Sequence, residues 1–581
     1  MVSDSENIRL LGTWNQVAMR AYVRQVFCFP IDEQLDDFDE LCAHIRLGLS
    51  LACSPSPHFA GKIRLGSNAT KGKVYVCTTA SDEVSFSFFD DRRPGAESKS
   101  ESESESKPES QPFGWSYPEL KAQGFPCKAF VGPRFSLPYD LTEDGPGIPV
   151  TEVHARVIRG GGLLLCVFIH HSISVGIGMR NFIATFAGFT LRRENESGLL
   201  PEHAANIDVE IPEDQVAALI ESPSSFDELL DDCPEYTMLP GPTGPTAPCR
   251  RQEWVPSLGH VPKTGRIFKF SQAKISTLKS VAQNWARNHR QAGVVSRATT
   301  KSTAKVTTIQ GTWSPSTFAC LAAVTWSFCT AARLETRRPQ RVNGLKSVCG
   351  SNGHGDGDDH ISTNHNNNNN NNNGGSPSEK THLLVPASWT RRAFKHCLDG
   401  YASNAVCMPR ICASVDSHGV VSGSEQTTTT ATTNGSDTRN KDEELGRLIY
   451  LIDSAIAAID DKFVATRTAM FRAAPDPRFI GINIDPQDPL DFIVNSWRHL
   501  GADILFGLPG LEPEGTAKGS RGRSADAVRR AQPEWNMGAG LVLPGKGRGS
   551  DYEMLVTLEE AAMRRLLANP AWMRCVSETV E

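Results

Sequence analysis

An apolar run, Leu163-Leu164-Leu165-Cys166-Val167-Phe168-Ile169, ends abruptly in His170-His171. A turn of small residues follows, Ser172-Ile173-Ser174-Val175-Gly176-Ile177-Gly178, and then what reads as a helix start at Met179-Arg180-Asn181-Phe182. A run this short and this uniformly apolar, closed by a turn, reads as a buried strand. Such a strand delivers an imidazole to its own C-terminal end, at the edge of a cleft. There a side chain whose proton leaves near neutral pH can act as an acid or base. A histidine after a strand is more often a satisfied structural residue than a catalyst, so the pair acquires functional weight only if the rest of the chain agrees.

At 581 residues the chain exceeds what one compact core organises, which predicts two domains with insertions. A net charge of −6 argues against polyanion binding, so no nucleic-acid partner is expected. The 15 cysteines are dispersed, odd in number and free of C-x-x-C pairs. Cys28, Cys42, Cys77, Cys166, Cys320 and Cys329 sit among apolar neighbours, where a reduced thiol behaves as a small hydrophobe. Met1 to Asn15 lacks the basic start and apolar centre of a signal peptide, and no apolar run approaches a membrane span. The expectation is a soluble, cytoplasmic protein with no membrane partner.

Four segments are biased. Ser98–Ser110 alternates Ser with Glu and Lys, Ser351–Lys380 holds an Asn run from Asn366 to Asn373, and Ser414–Lys441 is rich in Ser, Thr, Gly and Asn. Lacking the apolar residues that offset ordering entropy, these read as mobile surface loops. Glu514–Arg530 carries Lys518, Arg521, Arg523, Arg529 and Arg530 among Gly and Ser, and reads as a solvated basic loop.

Between the loops, strand and helix periods alternate. Val74-Tyr75-Val76, Val84 to Phe88, Phe479 to Ile482 and Tyr552 to Leu558 read as strands. Leu35–Leu51 reads as an amphipathic helix. So do three more segments: one after Ser271, one from Pro315-Ser316-Thr317 through Phe328, and one carrying Leu445, Leu448, Ile449, Ile452, Ile456 and Ile459. This is a mixed α/β (α+β) pattern, and the Pro-rich stretch Leu239–Pro256 reads as the interdomain linker. The predicted division is 1–245 (insert at about 94–112), a crossover at 246–262, and 263–581 (inserts at about 350–381, 414–441 and 513–531).

The residues now in view resemble the BAHD acyltransferases, in particular the fungal branch that includes trichothecene 3-O-acetyltransferases. The family's His-x-x-x-Asp signature, usually preceded by a second His, corresponds to His170-His171-Ser172-Ile173-Ser174-Val175-Gly176. Its Asp-Phe-Gly-x-Gly signature corresponds to Leu505-Phe506-Gly507-Leu508-Pro509-Gly510. Weaker likenesses follow in the family's order: Pro57 to Gly61, Ser316-Thr317 with Ala322, Ala323 and Trp326, Arg391 or Arg392 with Tyr401 to Ala405, Asn495-Ser496-Trp497, and Val542 to Pro544 with Tyr552 to Leu558 and Met563.

The resemblance implies two chloramphenicol-acetyltransferase-like domains facing each other across a central channel. It implies a CoA-dependent O-acyltransferase, with acyl-CoA, in the first place acetyl-CoA, as co-substrate and a small secondary-metabolite alcohol as acceptor. It implies no metal, no permanently bound cofactor and a monomer. His171 would be the catalytic general base. Both signature aspartates are replaced, by Val175 and by Leu505, with Asp503 two residues upstream of the latter. In the family the first aspartate orients by pairing with an Arg, here Arg391 or Arg392. Its loss threatens geometry and strands that charge unless the Arg reaches solvent. For CoA phosphates the sequence offers Arg521, Arg523, Lys546 and Arg548 without selecting among them. Two other readings stay open: an amide-forming, condensation-like relative, and a catalytically degenerate binding protein that keeps the cleft.

Overall fold

The computed structural model describes residues 6–35, 38–67, 72–92, 113–143, 145–191, 210–220, 224–239, 260–291, 313–337, 379–395, 403–415, 421–422, 437–511, 522–535, 538–547 and 549–581. Along the chain come strands β1 (Tyr22–Pro30), β2 (Ser85–Asp90), β3 (Thr151–Ile158), β4 (Gly162–His170), β5 (Lys263–Phe270) and β6 (Glu379–Leu384). Then follow β7 (Arg410–Val415), β8 (Val421–Ser422), β9 (Asp491–Ser496), β10 (Ala527–Arg530), β11 (Ala539–Val542), β12 (Tyr552–Glu559) and β13 (Glu578–Val580). The principal helices are α1 (Phe38–Cys53), α2 (Gly176–Thr190), α3 (Gln272–Gln291), α4 (Thr317–Arg337) and α5 (Asp437–Ala457).

These strands form a five-stranded sheet, ordered β10-β1-β4-β3-β2, and an eight-stranded sheet, ordered β8-β7-β6-β9-β11-β12-β5-β13. In the first, β4 lies between two antiparallel neighbours, with Ile169 opposite Thr151 and His170 opposite Tyr22. Every one of its residues is buried, which explains why it reads as a continuous apolar run rather than an alternating one. Helices α1 and α2 cover this sheet through Leu41, Ile45, Leu49, Phe182, Ile183 and Phe186. They approach closely at Gly48, where a Cβ would stand 3.1 Å from the Phe186 ring. In the second sheet, β6, β9 and β11 run parallel and the other pairs antiparallel. Helix α4 fills its core with Cys320, Trp326 and Cys329. By length and composition α4 could cross a membrane, contrary to the expectation that no such run exists. Two-thirds of that window (67%) is buried inside the protein, so core packing accounts for its apolar character.

Several expectations need correction. The supposed basic loop Glu514–Arg530 is structured over its described part. Arg523–Ser524 pairs with Leu505–Phe506, and β10 pairs with β1 at the edge of the first sheet. Two of its charges are held rather than solvated: Arg523 pairs with Asp526 at 3.0 Å, and buried Arg529 donates to the Phe125 carbonyl and to Glu553 at 2.8 Å each. Residues 500–511 and 522–532 thus leave the second half of the chain and pack Phe506, Leu508 and Val528 into the first hydrophobic core. Likewise Ser414 and Val415 end β7, Val421 begins β8, and α5 starts at Asp437, all inside a segment read as a loop. The end of the Asn-rich stretch, Glu379 and Lys380, opens β6. Ile459 lies past the end of α5 and belongs to a separate cluster with Trp389 and Phe471. Ser98–Ser110, the Asn run and most of the Pro-rich linker lie outside the described residues.

Candidate active site

Where β4 ends, two adjacent histidines meet opposite environments. His170 is 1% exposed; its Nδ1 accepts the Ser172 N–H at 3.3 Å, and its ring meets Tyr22 edge-on at 5.1 Å. Burial drives its pKa down to about 3, so it is a neutral core residue at any ordinary pH. His171, one residue on, lines a cavity of about 940 Å³ whose walls come from both halves of the chain. Tyr22, Val175 and Met179 stand on one side and Trp313, Met408, Trp497 and Leu541 on the other.

The backbone of His171 is held at both ends. Its N–H donates to the Ala21 carbonyl at 2.8 Å, and its carbonyl accepts from Asn404 Nδ2 at 2.8 Å. Asn404 is fixed in turn by Asn15, whose Oδ1 accepts both the Asn404 N–H and Nδ2 at 2.8 Å. Asn15 Nδ2 donates to Ser403 Oγ at 3.3 Å, and both asparagines are buried. This amide chain ties the histidine turn of the first half to residues 403–404 of the second. Burial lowers the His171 pKa below its ordinary value, opposed by hydrogen bonding from its own backbone and from Asn404. At neutral pH the imidazole is therefore unprotonated and able to accept a proton.

The replaced aspartates fall in unlike places. Val175 is the N-cap of α2, 5% exposed, with no side-chain capping hydrogen bond. Arg391 and Arg392, the candidates for the stranded partner, are both exposed; Arg392 borders the cavity and donates to the Ser388 carbonyl. No buried cation is left behind at either position. Leu505 is 44% exposed, and neither it nor its signature neighbours line the cavity. Asp503 does not substitute for the missing carboxylate: it pairs on the surface with Arg180 of α2 at 3.2 Å. Phe506 and Gly507 retain a structural part. Phe506 packs edge-on against Phe29 and Phe186, and Gly507 sits where a Cβ would lie 2.6 Å from the Thr190 carbonyl.

Of the residues considered for CoA phosphates, Arg523 is paired and Lys546 is exposed, and neither lines the cavity. Arg521 and Arg548 lie outside the described residues. Sequence reasoning missed Asn15, which carries no local signal, and passed over Asn404, which stood inside a quoted motif. It also missed Arg24, whose signal was a lone charge within the apolar strand Tyr22-Val23-Arg24-Gln25-Val26.

No family model matches the chain. In sequence it is 24% identical over 256 residues to trichothecene 8-O-acetyltransferase from Fusarium sporotrichioides; the match covers 43% of this chain and 48%, about half, of that protein. In structure it is similar to TRI101 from F. graminearum complexed with coenzyme A and T-2 mycotoxin, with a TM-score of 0.61 at 15% identity, over 99% of this chain and 100% of the other. TRI101 from F. sporotrichioides complexed with coenzyme A and T-2 gives 0.62 at 15% identity over the same shares. The likeness in structure therefore extends over nearly the whole chain, and the chain has the TRI101 fold.

Proposed function

We propose that the protein is a CoA-dependent O-acyltransferase that moves an acyl group, in the first place acetyl, from acyl-CoA to a hydroxyl of a small secondary-metabolite alcohol. One observation carries this reading: a neutral imidazole, His171, fixed at both ends of its backbone, faces a cavity built from both halves of the chain. As the acceptor oxygen attacks the thioester carbon, His171 takes the hydroxyl proton. The tetrahedral intermediate collapses with cleavage of the C–S bond, and the same imidazole returns the proton to the CoA thiolate. Atoms and charge balance without a covalent acyl-enzyme, a metal or a resident cofactor. The TRI101 structures with CoA and a trichothecene support this donor and acceptor class. The loss of both signature aspartates does not oppose it, because Val175 leaves no buried cation at Arg391 or Arg392 and Leu505 stands away from the cavity.

A monomer in the cytoplasm is part of the same proposal. In its favour, every described cysteine is free, and most are buried with thiol pKa values raised by desolvation.

The test is thiol release from acetyl-CoA with a panel of trichothecene alcohols. His171→Ala is expected to lower turnover by about 10²–10⁴-fold while the variant stays folded. Equal turnover by wild type and variant would remove His171 as the base. A degenerate binding protein would instead bind CoA, show no transfer, and be indifferent to the substitution.

A further inference from the structure

Two arginines line the same cavity with no acidic partner among the described residues. Arg24 lies on β1 and Arg530 ends β10, neighbouring antiparallel strands in which Arg530 stands opposite Gln25 and the Ala531 N–H donates to the Arg24 carbonyl at 3.1 Å. Arg24 Nε is fully buried and makes no hydrogen bond. Arg530 has the Trp497 ring for a neighbour, 6.0 Å from its guanidinium. Among the described residues neither makes an ion pair, in contrast to Arg333, Arg467 and Arg529, each of which holds a glutamate within 3.0 Å. Burial and the charge of Arg24 together lower the Arg530 pKa to about 10, which leaves it cationic at neutral pH; burial lowers Arg24 as well, and a guanidinium keeps its proton in a protein. A fold that buries two guanidinium groups on one cavity, close enough for the charge of one to act on the other, carries a standing electrostatic cost, which a bound anion relieves.

The position says which molecule brings that anion. Arg24 follows Ala21, whose carbonyl holds the His171 N–H, by three residues, at most about 10 Å of extended strand. Its charge also acts on His170. An anion held here sits beside the reacting centre, whereas the phosphates of a donor lie a full pantetheine arm away from the thioester. We propose that Arg24 and Arg530 form a carboxylate-binding subsite, and that the molecule occupying the acceptor side of the cavity is an apolar compound bearing a carboxylate. This rests on the transferase reading only for the word acceptor; the subsite itself is a statement about binding.

The experiment is calorimetric titration of the full-length protein with naphthoate and with the isosteric neutral naphthamide, each alone and with saturating CoA. Wild type is expected to bind the acid roughly tenfold or more tightly than the amide, as a charge-assisted pair requires. Arg24→Gln and Arg530→Gln should each erase that preference and raise the Tm of the unliganded protein by relieving repulsion, while Arg530→Lys keeps the preference. CoA should leave it intact. Equal binding of acid and amide by wild type overturns the proposal. So does a preference abolished by CoA together with weaker CoA binding by the Gln variants, which would assign the pair to the donor's phosphates. Failure of the transferase reading shows separately, as absent CoA heat and absent transfer.

Discussion

The two signature loops have lost the same residue type with opposite consequences. At Val175 the replacement sits at the buried start of α2, on the wall of the cavity that His171 faces. At Leu505 it sits at the exposed first position of a two-residue strand, outside that cavity, beside a glycine clip against the end of the same helix. One loop keeps an imidazole on the cavity and has an apolar side chain where the signature has a carboxylate. The other retains only packing, through Phe506 and Gly507, so its carboxylate was dispensable to the core. The comparison shows that a motif position is interpretable only once its neighbours in space are known.

The largest effect that would break this contrast is on the first loop. Beyond His171→Ala, Asn404→Ala removes the donor that holds the His171 carbonyl and takes one of the two hydrogen bonds from Asn15 Oδ1, leaving the one from the backbone N–H of residue 404. A loss of about 1–3 kcal/mol in stability is expected. Turnover should fall more than the affinity for CoA does, because the base is displaced while the cavity persists. An unchanged kcat in a destabilised protein would make Asn404 purely structural.

Acid should expose the same end of β4. His170 and His58 are both held near pKa 3 by burial, and His171 is also lowered. Each is depressed in the fold, so the unfolded chain binds protons first as pH drops below about 6.5, and stability falls there by about 1.4 kcal/mol per pH unit for each such histidine. His382 behaves in the opposite way: its hydrogen bond to Asp491 at 2.9 Å raises its pKa to about 9, and its contribution is lost as pH rises through that value. Urea midpoints from pH 4 to 10 check both limbs. A flat acid limb would mean that the imidazole at the end of β4 is hydrated.

Gly507→Ala tests the clip in the second loop. With a Cβ placed 2.6 Å from a backbone oxygen, a cost of about 1–3 kcal/mol is expected without a change in the substrate affinity of the surviving fold. Thermal unfolding reports the first and titration the second.

Val175→Asp is smaller and has a definite sign. The N-cap geometry at Val175 suits a side-chain acceptor for the free N–H groups at the start of α2, and the position borders the cavity. Capping should raise stability by about 1 kcal/mol. A drop instead would show that this corner is too dry for a carboxylate. Leu505→Asp should be smallest, within about 0.5 kcal/mol and with turnover unchanged, because the side chain is solvated.

The sequence by itself determined β4 and the side chain that ends it, since nine buried residues in a row leave a strong apolar signal and the turn after them is local. It also determined the main helices, whose apolar spacing survives insertions around them. Tertiary structure alone decided that β10 belongs to the first sheet, because its apolar residues Ala527 and Val528 run straight into two arginines, of which Arg529 is satisfied by the distant Glu553. It decided as well that the cavity lined by His171 is walled by both halves of the chain, and that Asn15, nearly four hundred residues from Asn404, anchors the turn. Contacts of that separation depend on how two sheets dock, and no local period in the chain records them.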